Sequence, residues 1–105
     1  MATFPLSIVT PSGAVLEDEV AGLVAPGTEG EFGVLAHHAP MIAAIRRGCL
    51  KVRRKDEQVA FFAVHEGFVR VDRDQVVVLT AQACAATDPE DARRRAQAFA
   101  VVPPA

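Results

Sequence analysis

The densest collection of potential functional groups in this chain lies between Gly27 and Pro40. This segment contains three glycines, one proline, two glutamates and two adjacent histidines. Carboxylate and imidazole groups can bind metals, move protons or pair with charged partners, and glycine and proline fix turn geometry. The segment therefore indicates either an active-site loop or a shaped contact surface.

A metal site in this segment would use His37, His38 and Glu29. Neighbouring side chains of an extended strand point to opposite faces, so the two histidines would need an irregular backbone to share one ion. We expect instead that one histidine forms a hydrogen bond or lies at a contact surface and that the other is solvated. We predict no metal site, and a free-standing small-molecule or metal-ion-binding β-sandwich is kept as the alternative function.

The glycines at 27, 30 and 33 recur every three residues, as in some phosphate-binding loops. The Lys-Ser or Lys-Thr pair of a P-loop does not follow them, and the interleaved Glu29 and Glu31 would repel phosphate. An acidic loop of this kind favours a basic partner.

Nucleophilic catalysis finds little support elsewhere in the chain. Cys49 and Cys84 lie in apolar, strand-like sequence without metal-ligand spacing, and a Gly-x-Ser-x-Gly elbow is missing. We expect both thiols to be reduced and packed as small hydrophobic groups. The arginines at 93–95 would spread over about 200° of a helix, so we expect a solvated face with one arginine at a contact. We predict a protein that is not an enzyme and has no catalytic residue and no cofactor.

The composition fits one small globular domain. The chain has 105 residues, of which 50% are hydrophobic, a formal net charge of -2 and no Trp or Tyr. Its charge gives no basic surface for nucleic acid, and the aromatic residues that might stack on bases are six phenylalanines. We therefore exclude nucleic acid as a partner. The N-terminus does not resemble a secretory signal, and no apolar run approaches the roughly 20 residues that span a bilayer. We expect a soluble, cytoplasmic protein.

Alternation of apolar and polar residues dominates the first 86 residues. It predicts eight to ten short strands, the pattern of an all-β sandwich or barrel. Pro5 places the first strand at an edge or near its own start, and the acidic run at 17–19 predicts a bend between two short strands. The remaining strand predictions are residues 39–47, a hairpin of 49–53 and 59–64 with a solvated tip at 55–57, and 68–71 joined by a turn at 72–74 to an interior strand at 76–79.

A short helix is predicted from Pro89 to about residue 100. Asp88 can cap it, Pro89 suits the first helical position, and Glu90 and Asp91 complement the positive end of the helix dipole. Ala92, Ala96 and Phe99 share one face, and the prolines within residues 101–105 end the helix. The sequence thus divides into a β domain, residues 1–86, and a C-terminal part, residues 87–105.

The segment 29–35, followed by His38-Ala39-Pro40 and Ile45, resembles a signature of the epsilon subunit of F-type ATP synthases, the counterpart of the mitochondrial delta subunit. That signature is Gly-x-x-Gly-Glu-x-Gly-(Ile/Val), then Gly-His-Ala-Pro. Gly48-Cys49-Leu50 and the strand after Gly67 also resemble the family, and the similarity runs in register from about Leu6 to Arg93.

The resemblance implies a flattened ten-stranded β-sandwich with one short C-terminal helix, acting as a non-catalytic subunit of the central stalk. Such a subunit binds the gamma subunit and the c-ring, touches the catalytic head indirectly, and couples proton-driven rotation to ATP synthesis. It is peripheral to the membrane, on the cytoplasmic face of the inner (plasma) membrane. By position, the residues that would contact the c-ring or gamma are Glu29, Gly30, Glu31, His38, Ala39, Pro40 and Met41.

The chain departs from the family pattern in two places. His37 stands where many members have glycine, which we expect to change the local backbone. The C-terminal part holds one predicted helix, whereas the family's helical hairpin needs two, so we expect a shortened hairpin. Of the family's nucleotide-binding motif only Arg93 is retained, which leaves it as a possible residual nucleotide contact.

Overall fold

The computed structural model describes residues 2–73 and 75–100, and these form nine strands and one helix. Asp74 and the predicted end of the C-terminal helix at 101–105 lie outside the described residues. The elements are β1 (Phe4–Thr10), β2 (Gly13–Gly27), β3 (Gly30–Val34), β4 (Met41–Ile45), β5 (Gly48–Arg54), β6 (Val59–Val64), β7 (Gly67–Val71), β8 (Val76–Thr80), β9 (Ala83–Ala86) and α1 (Pro89–Ala98).

The prediction of two short strands around an acidic bend was wrong, because β2 is one continuous strand of 15 residues. Glu17 and Glu19 pair with Ser7 and Pro5 of β1 while their side chains stay exposed, and Asp18 forms an ion pair with Arg54 at 2.9 Å. Strand pairing thus outweighs the tendency of acidic residues to form turns. The described part of the chain has nine strands, where the resemblance implied ten, and two of them, β3 and β9, were not among the strands predicted from alternation.

Strand β2 joins the two layers of the fold. Its first half pairs with β1, and its second half pairs with β3 on one side and β5 on the other. The register with β5 shifts between Val20 and Gly22, which marks the irregularity where the strand passes from one layer to the other. The strand order is β1-β8-β7-β4-β2-β5-β6-β9, with β3 on β2.

One hydrophobic core lies between the layers. Inward-facing residues of β1, β7 and β8 meet those of β5 and β6 in a single buried cluster, which includes Leu6, Ile8, Leu50, Val52, Val69 and Val78. The prediction of a mainly β protein with one short C-terminal helix is confirmed. The 49–53 and 59–64 hairpin, the strand after Gly67 and the strand within 39–47 also form as predicted. Strand β1 pairs on both sides, so Pro5 marks its start and not an edge.

Helix α1 packs on the outer side of β5, β6 and β9. Ala92 and Ala96 are fully buried against Ala63, with Cys49 and Cys84 beside them as the small hydrophobic groups that we predicted. Asp88 accepts a hydrogen bond from the Asp91 N–H and Pro89 occupies the first turn, both as predicted, although the helix ends at Ala98.

Candidate functional site

The first group of predicted contact residues lies at the tip of the β2–β3 hairpin. Gly27 pairs with Gly30, so only Thr28 and Glu29 form the turn, and residues 28–31 are all exposed. Gly30 has a φ of 123°, a conformation that glycine adopts without steric cost. We call residues 28–31 the acidic tip, because Glu29 and Glu31 are its only charged groups.

The second group, His38 to Met41, lies at the opposite end of β3 and β4. The His38 N–H donates to the Leu35 carbonyl at 3.3 Å, and its Nδ1 lies 2.7 Å from the Ala39 carbonyl oxygen. Strand β3 has five residues, so about 13–17 Å separate the two groups. The structure does not bring Glu29 together with His37 and His38, and the described residues contain no group of three potential ligands.

His37 adopts a φ of 66°, in the left-handed region that is unusual for a residue with a Cβ. Glycine reaches this region without strain. The geometry therefore favours a backbone conformation that a glycine would adopt, with a histidine held in it under strain. It does not favour the changed bend that we expected. Its side chain is exposed.

The sequence interpretation missed a large exposed apolar surface on the outer side of β4, β7 and β8. Ile42 is 71% exposed, Phe68 53% and Leu79 44%. Phe68 is directly opposite Ala44 on β4 and Leu79 on β8, so these side chains share one face. Arg70 is exposed on this same side, where it pairs across the strands with Ile42 and Val77. We call Ile42, Ala44, Phe68, Val77 and Leu79 the apolar face.

The apolar face depends on a close approach of β7 and β8. A Cβ on Gly67 would overlap the carbonyl oxygen of Leu79 and crowd the backbone of Thr80, so no larger residue fits without separating the strands.

The sequence did carry a signal for this face. Residues 76–79 are apolar on both sides, which we attributed to an interior strand. The strand is interior, between β1 and β7, but its outer side is not covered by the described part of the chain.

Arg93 lines a small cleft beside the acidic tip, between the hairpin, the β4–β5 turn and α1. The cleft has a volume of about 100 Å³ and is lined by Pro26, Glu31, Arg46, Arg47, Gly48, Cys49, Arg93 and Gln97. Burial raises the pKa of the Cys49 thiol, and the positive charge of Arg93 opposes that rise. The sequence interpretation did not single out Arg46 and Arg47, because the fold alone places them beside Arg93.

The other two arginines of the run stabilise the start of α1. Arg94 and Arg95 both pair with the buried carboxylate of Asp91, which also accepts hydrogen bonds from the backbone and side chain of Thr87. The Thr87 N–H and then Arg95 lower the pKa of Asp91 to about 2. Asp91 is thus the centre of the N-terminal capping network of the helix.

Residues 3–86 match the family model of the ATP synthase delta/epsilon chain β-sandwich domain. The ATP synthase epsilon chain of Moorella thermoacetica is 40% identical over 96 residues, which are 90% of this chain and 72% of that protein. The epsilon chain of Campylobacter curvus is 40% identical over 74 residues, 70% of this chain. The chain spans only 57% of the length of that relative.

Two solved structures have a similar fold. A chain of the Euglena gracilis mitochondrial ATP synthase, in a structure of OSCP, F1 and the c-ring, aligns with a TM-score of 0.77 and 25% identity, over 81% of this chain and 54% of its own length. A chain of the Tetrahymena thermophila mitochondrial ATP synthase, in a structure of the central stalk and c-ring, aligns with a TM-score of 0.66 and 16% identity, over 76% and 64% respectively. The second likeness concerns the fold alone.

Proposed function

The chain belongs to the ATP synthase delta/epsilon family, and from this membership we propose that it is a non-catalytic subunit of the central stalk of a rotary F-type ATP synthase. In this role it bridges gamma and the c-ring and couples proton-driven rotation to ATP synthesis, with the catalytic head as an indirect partner. The observation that carries the proposal is the presence of two different exposed surfaces, one apolar and one acidic, on one rigid β-sandwich.

The apolar face is the proposed contact with gamma. Exposed apolar side chains that lie together mark interaction surfaces. Ile42 and Phe68 are 71% and 53% exposed, and Arg70 lies on the same face. The predicted contact residues His38, Ala39 and Pro40 precede β4 and lie at the end of the strand that carries Ile42. Met41 points to the opposite face and packs against the core. Phe68 is a suitable central anchor, since aromatic side chains dominate the energetics of many interfaces.

The acidic tip is the proposed contact with the c-ring. Glu29 and Glu31 flank Gly30 at the exposed end of the β2–β3 hairpin, whose turn has two residues. A narrow, rigid turn with two carboxylates fits a basic polar loop, and charge complementarity of this kind fixes orientation and speeds association. The protein would then be peripheral to the membrane, through the complex, on its cytoplasmic side. No helix among residues 2–73 and 75–100 is long and apolar enough to cross a bilayer.

Arg93 is the proposed remaining contact for a nucleotide phosphate. Support comes from the cleft, where Arg46 lines the same small volume and could share an anion. Arg47 also lines the cleft but donates to the Ala96 and Phe99 carbonyls, and the carboxylate of Glu31 opposes an anion there. Calorimetric titration with ATP tests this, with Arg53→Ala as the matched control because Arg53 is exposed on another part of the sheet. Equal binding by Arg93→Ala and Arg53→Ala would contradict the contact.

The stalk function is tested by adding the purified chain to a gamma-containing catalytic head and, separately, to the head with the c-ring. We expect a stable complex with gamma, and weaker c-ring retention when Glu29 and Glu31 are both changed to Gln. ATP hydrolysis by the chain alone should be absent. Stoichiometric binding of a divalent ion, together with no association with gamma, would favour the alternative of a free-standing ligand-binding sandwich.

A further inference from the structure

The outer side of β2, β3 and β5 carries a groove that the proposed stalk contacts do not use. Its volume is about 470 Å³, within the range of small-molecule sites. On β2, Val24 pairs with Gly33 of β3 and Lys51 of β5, so these residues form one row across the strands. We call the groove the basic groove and define it by its main lining residues, which are Val24, Gly33, Leu35, Lys51, Arg53 and Val59.

The walls of the basic groove are apolar on one side and basic on the other. Leu35 is 60% exposed and Val59 44%. The Leu35 side chain and the Arg53 guanidinium both lie over Gly22, where an added Cβ would be 3.4 Å from Leu35 Cδ2 and 3.3 Å from Arg53 Nη2. An aliphatic group and a cation therefore meet above a stretch of backbone that has no side chain.

Gly33 keeps the groove open although the fold does not require a glycine there. A Cβ on Gly33 would have its nearest neighbour, the Leu23 carbonyl oxygen, at an ordinary distance of 3.7 Å. The glycines with a positive φ in the described part of the chain are Gly13 and Gly30, so no left-handed backbone explains Gly33 either. Glycine weakens a strand and often marks a place where a ligand approaches the backbone closely. A side chain at this position would occupy the groove.

The charge of the groove indicates an anionic ligand. Its charged lining residues are Lys51 and Arg53, both exposed, and they lie about 7 Å apart on one face of β5. The ion pairs among the described residues involve other basic side chains, those of Arg54, Arg70, Arg94 and Arg95. Glu31 lies on the same side of β3, towards the acidic tip, and would repel an anion at that end. The anionic group of a ligand therefore belongs beside Lys51 and Arg53.

We propose that the basic groove binds a free aliphatic carboxylate, such as a medium-chain fatty acid. Its carboxylate pairs with Arg53 and Lys51, because a guanidinium matches the two oxygens of a carboxylate. Its alkyl chain lies over Val24 and Gly33 and against Leu35. The groove is concave, which suits a single chain better than a bilayer surface. The inference goes beyond the stalk function and does not depend on it, because the apolar face lies on the other layer of the sandwich.

The experiment is an NMR titration of the full chain with sodium octanoate and sodium decanoate, below the concentrations at which they form micelles. We expect saturable shifts of the amide signals of residues 22–24, 33–35 and 51–53. Decanoate has two more methylenes, so its Kd should be lower than that of octanoate by between about fourfold and about 15-fold. Decyltrimethylammonium, with the same chain and the opposite charge, should bind at least about tenfold more weakly than decanoate.

Three variants locate the site. Gly33→Leu should abolish saturable binding of decanoate, because the new side chain fills the groove. Combined Lys51→Gln and Arg53→Gln should raise the Kd about tenfold, as expected for the loss of two exposed ion pairs. Arg70→Gln is the matched control, since Arg70 is an exposed arginine on the other layer, and it should change the Kd less than about twofold.

Equal binding of decanoate by Gly33→Leu and the wild type would overturn the proposal, and so would shifts centred on Ile42 and Phe68 instead of the groove. If Gly33→Leu does not fold, Leu35→Asp replaces it, because an aspartate at this exposed position would neutralise Arg53; unchanged binding by that variant would equally refute the site. Sedimentation of the chain with phosphatidylglycerol vesicles, without saturable binding of decanoate, would refute the free carboxylate in favour of a membrane surface.

Discussion

Replacing Phe68 by Ser should weaken binding to gamma without unfolding the protein. A phenylalanine side chain contributes about 200 Å² of surface, and Phe68 is 53% exposed, so about 100 Å² is available for burial by a partner. At about 25 cal/mol per Å² this area corresponds to about 2.5 kcal/mol. Because association has costs that area does not capture, we expect a rise in Kd of between about tenfold and about 70-fold.

The assay is biolayer interferometry against a gamma-containing catalytic head, with Leu35→Ser as the matched control. Leu35 is 60% exposed but lines a groove with Gly22 and Val59, away from the apolar face. The control should change the Kd less than about twofold. Loss of the cross-strand contact between Phe68 and Leu79 should reduce the free energy of unfolding by only about 0.2–1 kcal/mol. Wild-type affinity of Phe68→Ser combined with weak binding of Leu35→Ser would refute the assignment of the apolar face.

Three further predictions concern stability. Gly67→Ala should lower the free energy of unfolding in urea by about 3 kcal/mol, because the new Cβ would overlap the Leu79 carbonyl. Gly33→Ala is the control: the nearest atom to its Cβ would be 3.7 Å away, so the free energy of unfolding should fall far less. Equal losses in the two variants would contradict the close approach of β7 and β8. The pKa of Asp91 is lowered to about 2, so its carboxylate stabilises the fold fully above the ordinary aspartate pKa of about 4, and this contribution is lost as the pH falls through about 2. The difference in thermal stability between wild type and Asp91→Asn should therefore shrink between pH 5 and pH 2. A constant difference would contradict this prediction. His37→Gly should raise stability by up to about 1 kcal/mol, since relief of left-handed strain of about 1–2 kcal/mol exceeds the entropic cost of glycine; clear destabilisation on denaturant titration would show that the histidine side chain contributes contacts of its own.

Local signals in the sequence predicted the elements whose formation depends on neighbours along the chain. The hairpin of β5 and β6 follows from its alternation and charged turn, and the start of α1 from Asp88, Pro89 and Asp91. The continuity of β2 could not be predicted in this way, because it depends on pairing with β1, which is set by tertiary contacts.

The same limit applies to the functional surfaces. The acidic tip is contiguous in sequence, so its glycines and glutamates are visible there. The apolar face is assembled from Ile42, Phe68 and Leu79 on three strands, and each of them alone looks like an ordinary core residue. The basic groove combines Leu35 with Lys51 and Arg53, and only the fold brings these residues to the two sides of β2. Sequence periodicity predicts which residues can face outward, but not which outward faces stay uncovered.

Strand β4 gives the proposed coupling role a physical route. It pairs along its whole length with β7, which carries Phe68, and its last residue, Ile45, pairs with Gly27 at the base of the acidic tip. On either side of that pair, the Thr28 N–H donates to the Ala44 carbonyl at 3.1 Å and the Arg46 N–H donates to the Pro26 carbonyl at 2.9 Å. The tip is therefore joined to the apolar face by backbone hydrogen bonds and not by a flexible loop. Because backbone pairs within a sheet open less readily than loops do, a force applied at Glu29 would move both surfaces together, as transmission of torque requires.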